Sequence, residues 1–253
     1  MTMAHRFFFF AGGDYNGGHG NTFTSNFIRY LAEVIGHRFS VIEGIYHHRP
    51  VMNVIWALNR AQEPLKAPLQ NQIIASSVNQ ILTCPQTHGS KLTLVSSSYG
   101  SVVAAQTACH LAEVHLEEKR LTHPFNLALG ASMVHEQSGL LRKLEYYQQQ
   151  GVIDKILLSE LHDDGDNSNG LGGRTRFEAY SNGLGICFPI LSRKFSGPSF
   201  LNNDPVHGHL HRVRAQSIQK AKDFIQTILI DHELGGKENK AKAELLLEKE
   251  LTD

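Results

Sequence analysis

The chain has only three cysteines, Cys84, Cys109 and Cys187. They are scattered, odd in number and form no Cys-x-x-Cys pair, which argues against a disulfide framework or a zinc site. This usage fits a reducing compartment. An excess of one charge is also lacking. The 24 Lys and Arg residues balance 24 Asp and Glu, and the isoelectric point is near 7.3. Nothing suggests a general electrostatic attraction to nucleic acid or to an anionic membrane. Long apolar runs are missing too. The four phenylalanines after Arg6 are too short a run for a signal-peptide core, and no cleavage site follows. No stretch approaches the length of a transmembrane helix. No integral membrane segment is expected, and a cytoplasmic location is expected by default.

What is present is ordinary for a globular protein. The 253 residues are 41% hydrophobic and 19% charged, enough to bury a sizeable core without staples. Short apolar runs alternate with segments of helical period. Strands are expected at 6–11, 39–45, 91–97, 126–130, 155–161 and 185–191. Helices are expected from Phe23, over 73–82, from Ser101, over 140–150, and from about His211 to Asp231, with a short one near 175–182. The stretch 46–70 holds three prolines and little periodicity, and reads as an excursion over the sheet edge. The tail after Gly236 is dense in Lys and Glu and reads as a solvated, fraying helix. Strands alternating with helices imply βαβ units and a mostly parallel sheet of about six strands, in a three-layer α/β/α sandwich. No internal repeat or dividing linker is visible. One domain over 1–236 is expected, with small inserts near 46–70 and 131–151 and a charged tail at 237–253.

The most informative segment runs from Leu92 to Ser101, where an apolar strand enters Ser96-Ser97-Ser98-Tyr99-Gly100 and then an Ala-rich helix. A turn this tight requires small residues two before and two after its central serine. The serine is then held in a strained conformation with its hydroxyl presented at the strand end. The following helix directs its positive end at the same point. This segment resembles the nucleophile elbow of the α/β-hydrolase superfamily, with Ser96 standing where the family usually has glycine.

The resemblance implies a serine nucleophile, then an acid, then a histidine in chain order. It would cover roughly residues 6 to 230 and lack the first two antiparallel edge strands of the full fold. The acid would follow the fifth strand, where the sequence reads His162-Asp163-Asp164-Gly165-Asp166. The family spacing favours Asp164, with Asp166 as the alternate. The cluster could also be a plain polar turn, and it does not fit a calcium loop. The histidine would precede the last helix, at Asp204-Pro-Val-His207-Gly208-His209-Leu210-His211. A Gly-His pair in that place selects His209, with His207 and His211 as competitors. The same three histidines, alternating along an extended segment, could instead hold a transition metal.

The oxyanion hole would be built from the amide of Tyr99 and one amide from the first βα loop. The implied donor there is Gly13, with Gly12 as the alternate. The loop lacks both the Gly-x-G-x-x-Gly spacing and a P-loop lysine, so a phosphate site is a weak reading. The expected function is hydrolysis of an ester or thioester of a small or lipid-like acyl substrate, without a cofactor. The inserts contribute Trp56, Leu58, Leu140, Leu144, Tyr146 and Tyr147 as roofing for an apolar acyl group. A non-catalytic binding protein on the same fold is the reading from a different class.

Overall fold

The computed structural model describes residues 4–12, 22–42, 50–87, 89–159, 175–177, 180–181 and 217–250. It shows an α/β protein. The strands are β1 (His5–Phe10), β2 (Phe39–Ile42), β3 (Lys91–Ser97), β4 (Phe125–Gly130) and β5 (Ile153–Ser159). All their pairings are parallel, in the order β2-β1-β3-β4-β5. The described sheet is thus five-stranded and wholly parallel. The sixth expected strand, at 185–191, lies outside the described residues.

The helices are α1 (Phe23–Ile35), α2 (Pro50–Arg60), α3 (Gln72–Thr83), α4 (Gly100–Glu118), α5 (Gly139–Gln149), α6 (217–225) and α7 (Gly236–Glu250). After α6 the chain widens into a π-helical turn at Gln226–Asp231.

The run of four phenylalanines in β1 follows from a sheet covered on both faces. Successive side chains point to opposite sides. Phe8 and Phe10 enter one core with Leu94, Leu129, Val102 and Leu144. Phe7 and Phe9 enter the other, with Phe27, Val95, Phe224 and Ile228. All four are essentially inaccessible. Each such burial contributes about 2–3 kcal/mol.

Local signals start several helices. Thr22 caps α1 by accepting the Ser25 amide, Asn71 caps α3, and Ser138 caps α5 through the Leu141 amide.

Two segments differ from what their patterns suggest. The excursion at 46–70 contains a regular helix, α2. Pro50 opens it, a position where proline's missing N–H costs nothing. The charged tail is also docked. On α7, Ala243 is fully buried, Asn239 is 3% exposed, and Leu246 packs on the second core. One narrow seam, of Asn239, Ala243 and Leu246, holds a helix whose outer surface is mostly charged but also exposes Leu245.

Candidate active site

β3 ends at Ser97 and α4 begins at Gly100, so Ser98 and Tyr99 make the whole turn between them. Ser98 has φ +52°, in the left-handed region. For a residue with a side chain this costs of order 1–3 kcal/mol and persists only where the surroundings impose it. Those surroundings are visible here. The Ser98 amide donates to the Gly130 carbonyl at the end of β4, at 2.9 Å. Its carbonyl accepts the Ser101 amide, also at 2.9 Å.

The requirement for small neighbours has a physical cause on each side. A β-carbon at Gly100 would lie 2.2 Å from the Phe10 carbonyl oxygen and 2.7 Å from that of Ala11. The first turn of α4 therefore lies directly on the backbone at the end of β1. Ser96 is fully buried between Phe10 and Leu129, and its hydroxyl donates to the Ala128 carbonyl at 3.2 Å. Ser97 and Tyr99 are buried, whereas Ser98 is half-buried.

The site lies at the C-terminal edge of the sheet, between β1 and β3. Here the strand order reverses direction, which is where ligands bind in open parallel sheets. α4 has no side-chain cap at Tyr99. Its positive end faces this crevice.

The segment after β4 closes on the same turn. Ala131 also has a positive φ, +45°, and its amide donates to the Ser159 carbonyl at 2.9 Å. Two residues on, the Met133 amide donates to the Ser101 hydroxyl at 2.9 Å. The sequence gives no sign of a left-handed alanine. Ser101 stands out only by directly following the Ser-x-Gly turn.

The insert that follows β2 is fastened beside this edge. Gln106 of α4, 1% exposed, donates to the carbonyls of Arg60 and Glu63 and accepts the Leu65 amide. Gln62 pairs with His135 Nε2 at 2.8 Å and accepts the Leu140 amide on its backbone carbonyl. Trp56 of α2 lies against Tyr99, with ring centroids 5.7 Å apart. A cleft of about 540 Å³, lined in part by Asn59, Arg60, Glu63 and Lys66, opens beside the insert and includes none of the expected site residues.

Cys109 is a second nucleophilic side chain on α4. Burial, reinforced by the nearby Glu113, pushes its thiol well above the usual range. It is a packing residue rather than a thiolate.

The structure thus brings the Ser98–Tyr99 turn, through Gly100, against the Phe10 and Ala11 carbonyls at the end of β1; Gly12, the next residue, is buried. Gly13, Asp164, Asp166, His207, His209 and His211 lie outside the described residues. Among the described residues, no group of three His, Cys, Asp or Glu side chains is placed to hold a metal ion. None of the described helices is long and apolar enough to cross a membrane. No protein-family model matches this chain, and no curated protein or solved structure matches it.

Proposed function

We propose that this protein is a serine hydrolase of the α/β-hydrolase type, cleaving an ester or thioester of a small or lipid-like acyl substrate. The observation that carries this reading is the left-handed backbone of Ser98, at the junction of a buried strand and an uncapped helix. The strand order is compatible with it but is shared by other doubly wound folds, so it does not select the activity. A left-handed serine at the switch point supports it, since backbone strain of this kind clusters at active sites.

In this mechanism the Ser98 Oγ attacks the acyl carbon while His209 takes its proton. Asp164, or Asp166, holds the imidazole in the needed tautomer. The amides of Tyr99 and Gly13, or Gly12, stabilise the oxyanion. His209 returns the proton to the departing alcohol or thiol. Water then cleaves the acyl-enzyme, with His209 again as base.

The test is covalent capture. Wild-type protein and its Ser98→Ala variant are exposed to a fluorophosphonate probe, and intact mass is read. A single adduct on wild type alone supports the assignment. Folded wild type that takes no label favours a binding protein or a metal site at His207, His209 and His211.

A further inference from the structure

We propose that the first turn of α1 binds an oxyanion group, carboxylate or phosphate, of the ligand that reaches Ser98. That this ligand is a hydrolase substrate rests on the reading above. The site itself rests on Asn26. This residue is 2% exposed, yet its side-chain Nδ2 has no hydrogen-bond partner among the described residues. An unpaired buried donor carries the full cost of its desolvation, so an acceptor supplied by a ligand counts for more here than at an exposed position. The other end of the same amide is held. Asn26 Oδ1 accepts from Arg29 Nη2 at 2.9 Å. A guanidinium only donates, so this bond fixes which end of the amide is nitrogen. Arg29 lies almost one turn towards the C-terminus, and helical side chains lean the other way, so Nδ2 faces the start of the helix.

That start is the positive end of a 13-residue helix, and its first turn holds no acidic residue. Aromatic contacts set its place. The Phe27 ring lies 4.9 Å from that of Phe9, near the end of β1. Phe23, one turn closer to the helix start, lies 5.9 Å from Phe224. The Phe224 ring in turn crowds Gly130, where a β-carbon would lie 2.5 Å from it. Gly130 is the residue whose carbonyl accepts the Ser98 amide. The first turn of α1 therefore stands at the sheet edge that holds Ser98. α4 begins at the same edge, again with no side-chain cap and no acidic residue in its first turn. Two positive helix starts and one unpaired amide donor favour a negatively charged oxygen. A purely alkyl group would leave Asn26 unpaired.

The experiment titrates wild type, Asn26→Leu and Asn26→Asp with inorganic phosphate and, separately, with acetate, each against sodium chloride at matched ionic strength, while Tm is followed. Wild type should show a saturable rise in Tm that chloride does not give. Whichever anion gives the rise assigns the site to phosphate or to carboxylate. Asn26→Leu should bind that anion roughly tenfold to a hundredfold more weakly. It should lose no stability in the anion's absence, because the buried unpaired donor is gone. Asn26→Asp keeps an acceptor for Arg29 but loses the donor and adds a negative charge, so it should not respond at all. The bound anion should also slow fluorophosphonate labelling of wild type. No specific rise with either anion, or an equal rise in all three proteins, overturns the site, and labelling of Ser98 would leave the hydrolase reading standing. Labelling that saturating anion does not slow overturns the link to Ser98. Folded wild type that binds the anion through Asn26 but takes no label removes the hydrolase reading and leaves an oxyanion-binding protein.

Discussion

The amide of Ser98 donates to the carbonyl of Gly130 at 2.9 Å, fastening the turn after β3 to the last residue of β4. Gly130 can take this position because it has no side chain. A β-carbon there would lie 2.5 Å from the Phe224 ring and 2.9 Å from the Ser96 carbonyl. The left-handed serine is thus held by both neighbouring strands, β1 through Gly100 and β4 through Gly130.

That strain is measurable. Ser98→Gly should be more stable than Ser98→Ala by about 1 kcal/mol, because only glycine adopts φ +52° without penalty. Chemical denaturation of the two variants measures the difference. Equal stabilities would mean that the turn relaxes once the hydroxyl is gone. On an activated ester, both variants should lose turnover on the order of a millionfold.

Gly100→Ala should cost about 3 kcal/mol or more. The new methyl meets two backbone carbonyls of β1 rather than side chains that can rotate away. The readout is the midpoint of urea unfolding, with fluorophosphonate labelling rate as a second measure. Labelling should slow even where the variant remains folded.

Gln106→Ala should destabilise by about 3 kcal/mol, since it strips partners from two backbone carbonyls and one amide at once. It should also loosen residues 60–65. Amide exchange at Leu65 should speed up far more than exchange in β3. Uniform acceleration throughout the chain would point to global unfolding instead.

The two candidate acids separate by charge-neutral substitution. Asp164→Asn should lower kcat by about 10⁴-fold, whereas Asp166→Asn should have little effect. The reverse pattern would assign the role to Asp166. Steady-state rates on one ester decide between them.

Stability should fall with mild acid through His5. Burial is the main cause holding its imidazole below the ordinary histidine value, and the positive charges of Lys91 and Arg38 add to it. Above about pH 6.5 the group is neutral in both folded and unfolded chains and contributes nothing. Below that, the unfolded chain binds the proton first, so stability declines as pH drops towards the lowered folded value. Between about pH 7 and pH 5, Tm should fall more steeply in wild type than in His5→Gln. His115, lowered by burial and Lys119, adds a slope of the same sign.

Much of this fold can be read locally. The apolar run at 6–11 becomes β1, and the patterns at 73–82 and 140–150 become α3 and α5 within a residue or two. These elements show in the sequence because their burial is periodic along the chain. α2 does not, since three prolines and interrupted periodicity obscure a helix whose described side chains bury Ala57 and Leu58 in the core. The docking of α7 is equally hidden, because one buried alanine and one buried asparagine leave no apolar stripe to count.

At the candidate site the division is sharper. The sequence by itself determined where the turn falls, because a small-x-Ser-x-Gly run between an apolar strand and an Ala-rich helix allows only a short connection. The tertiary structure decided that Ser98 takes the left-handed conformation. That outcome depends on a glycine meeting the Phe10 carbonyl and an amide meeting Gly130, contacts between segments far apart in the chain. It also decided that Trp56 stands beside Tyr99, for the same reason: close packing between distant segments selects partners that no local pattern encodes.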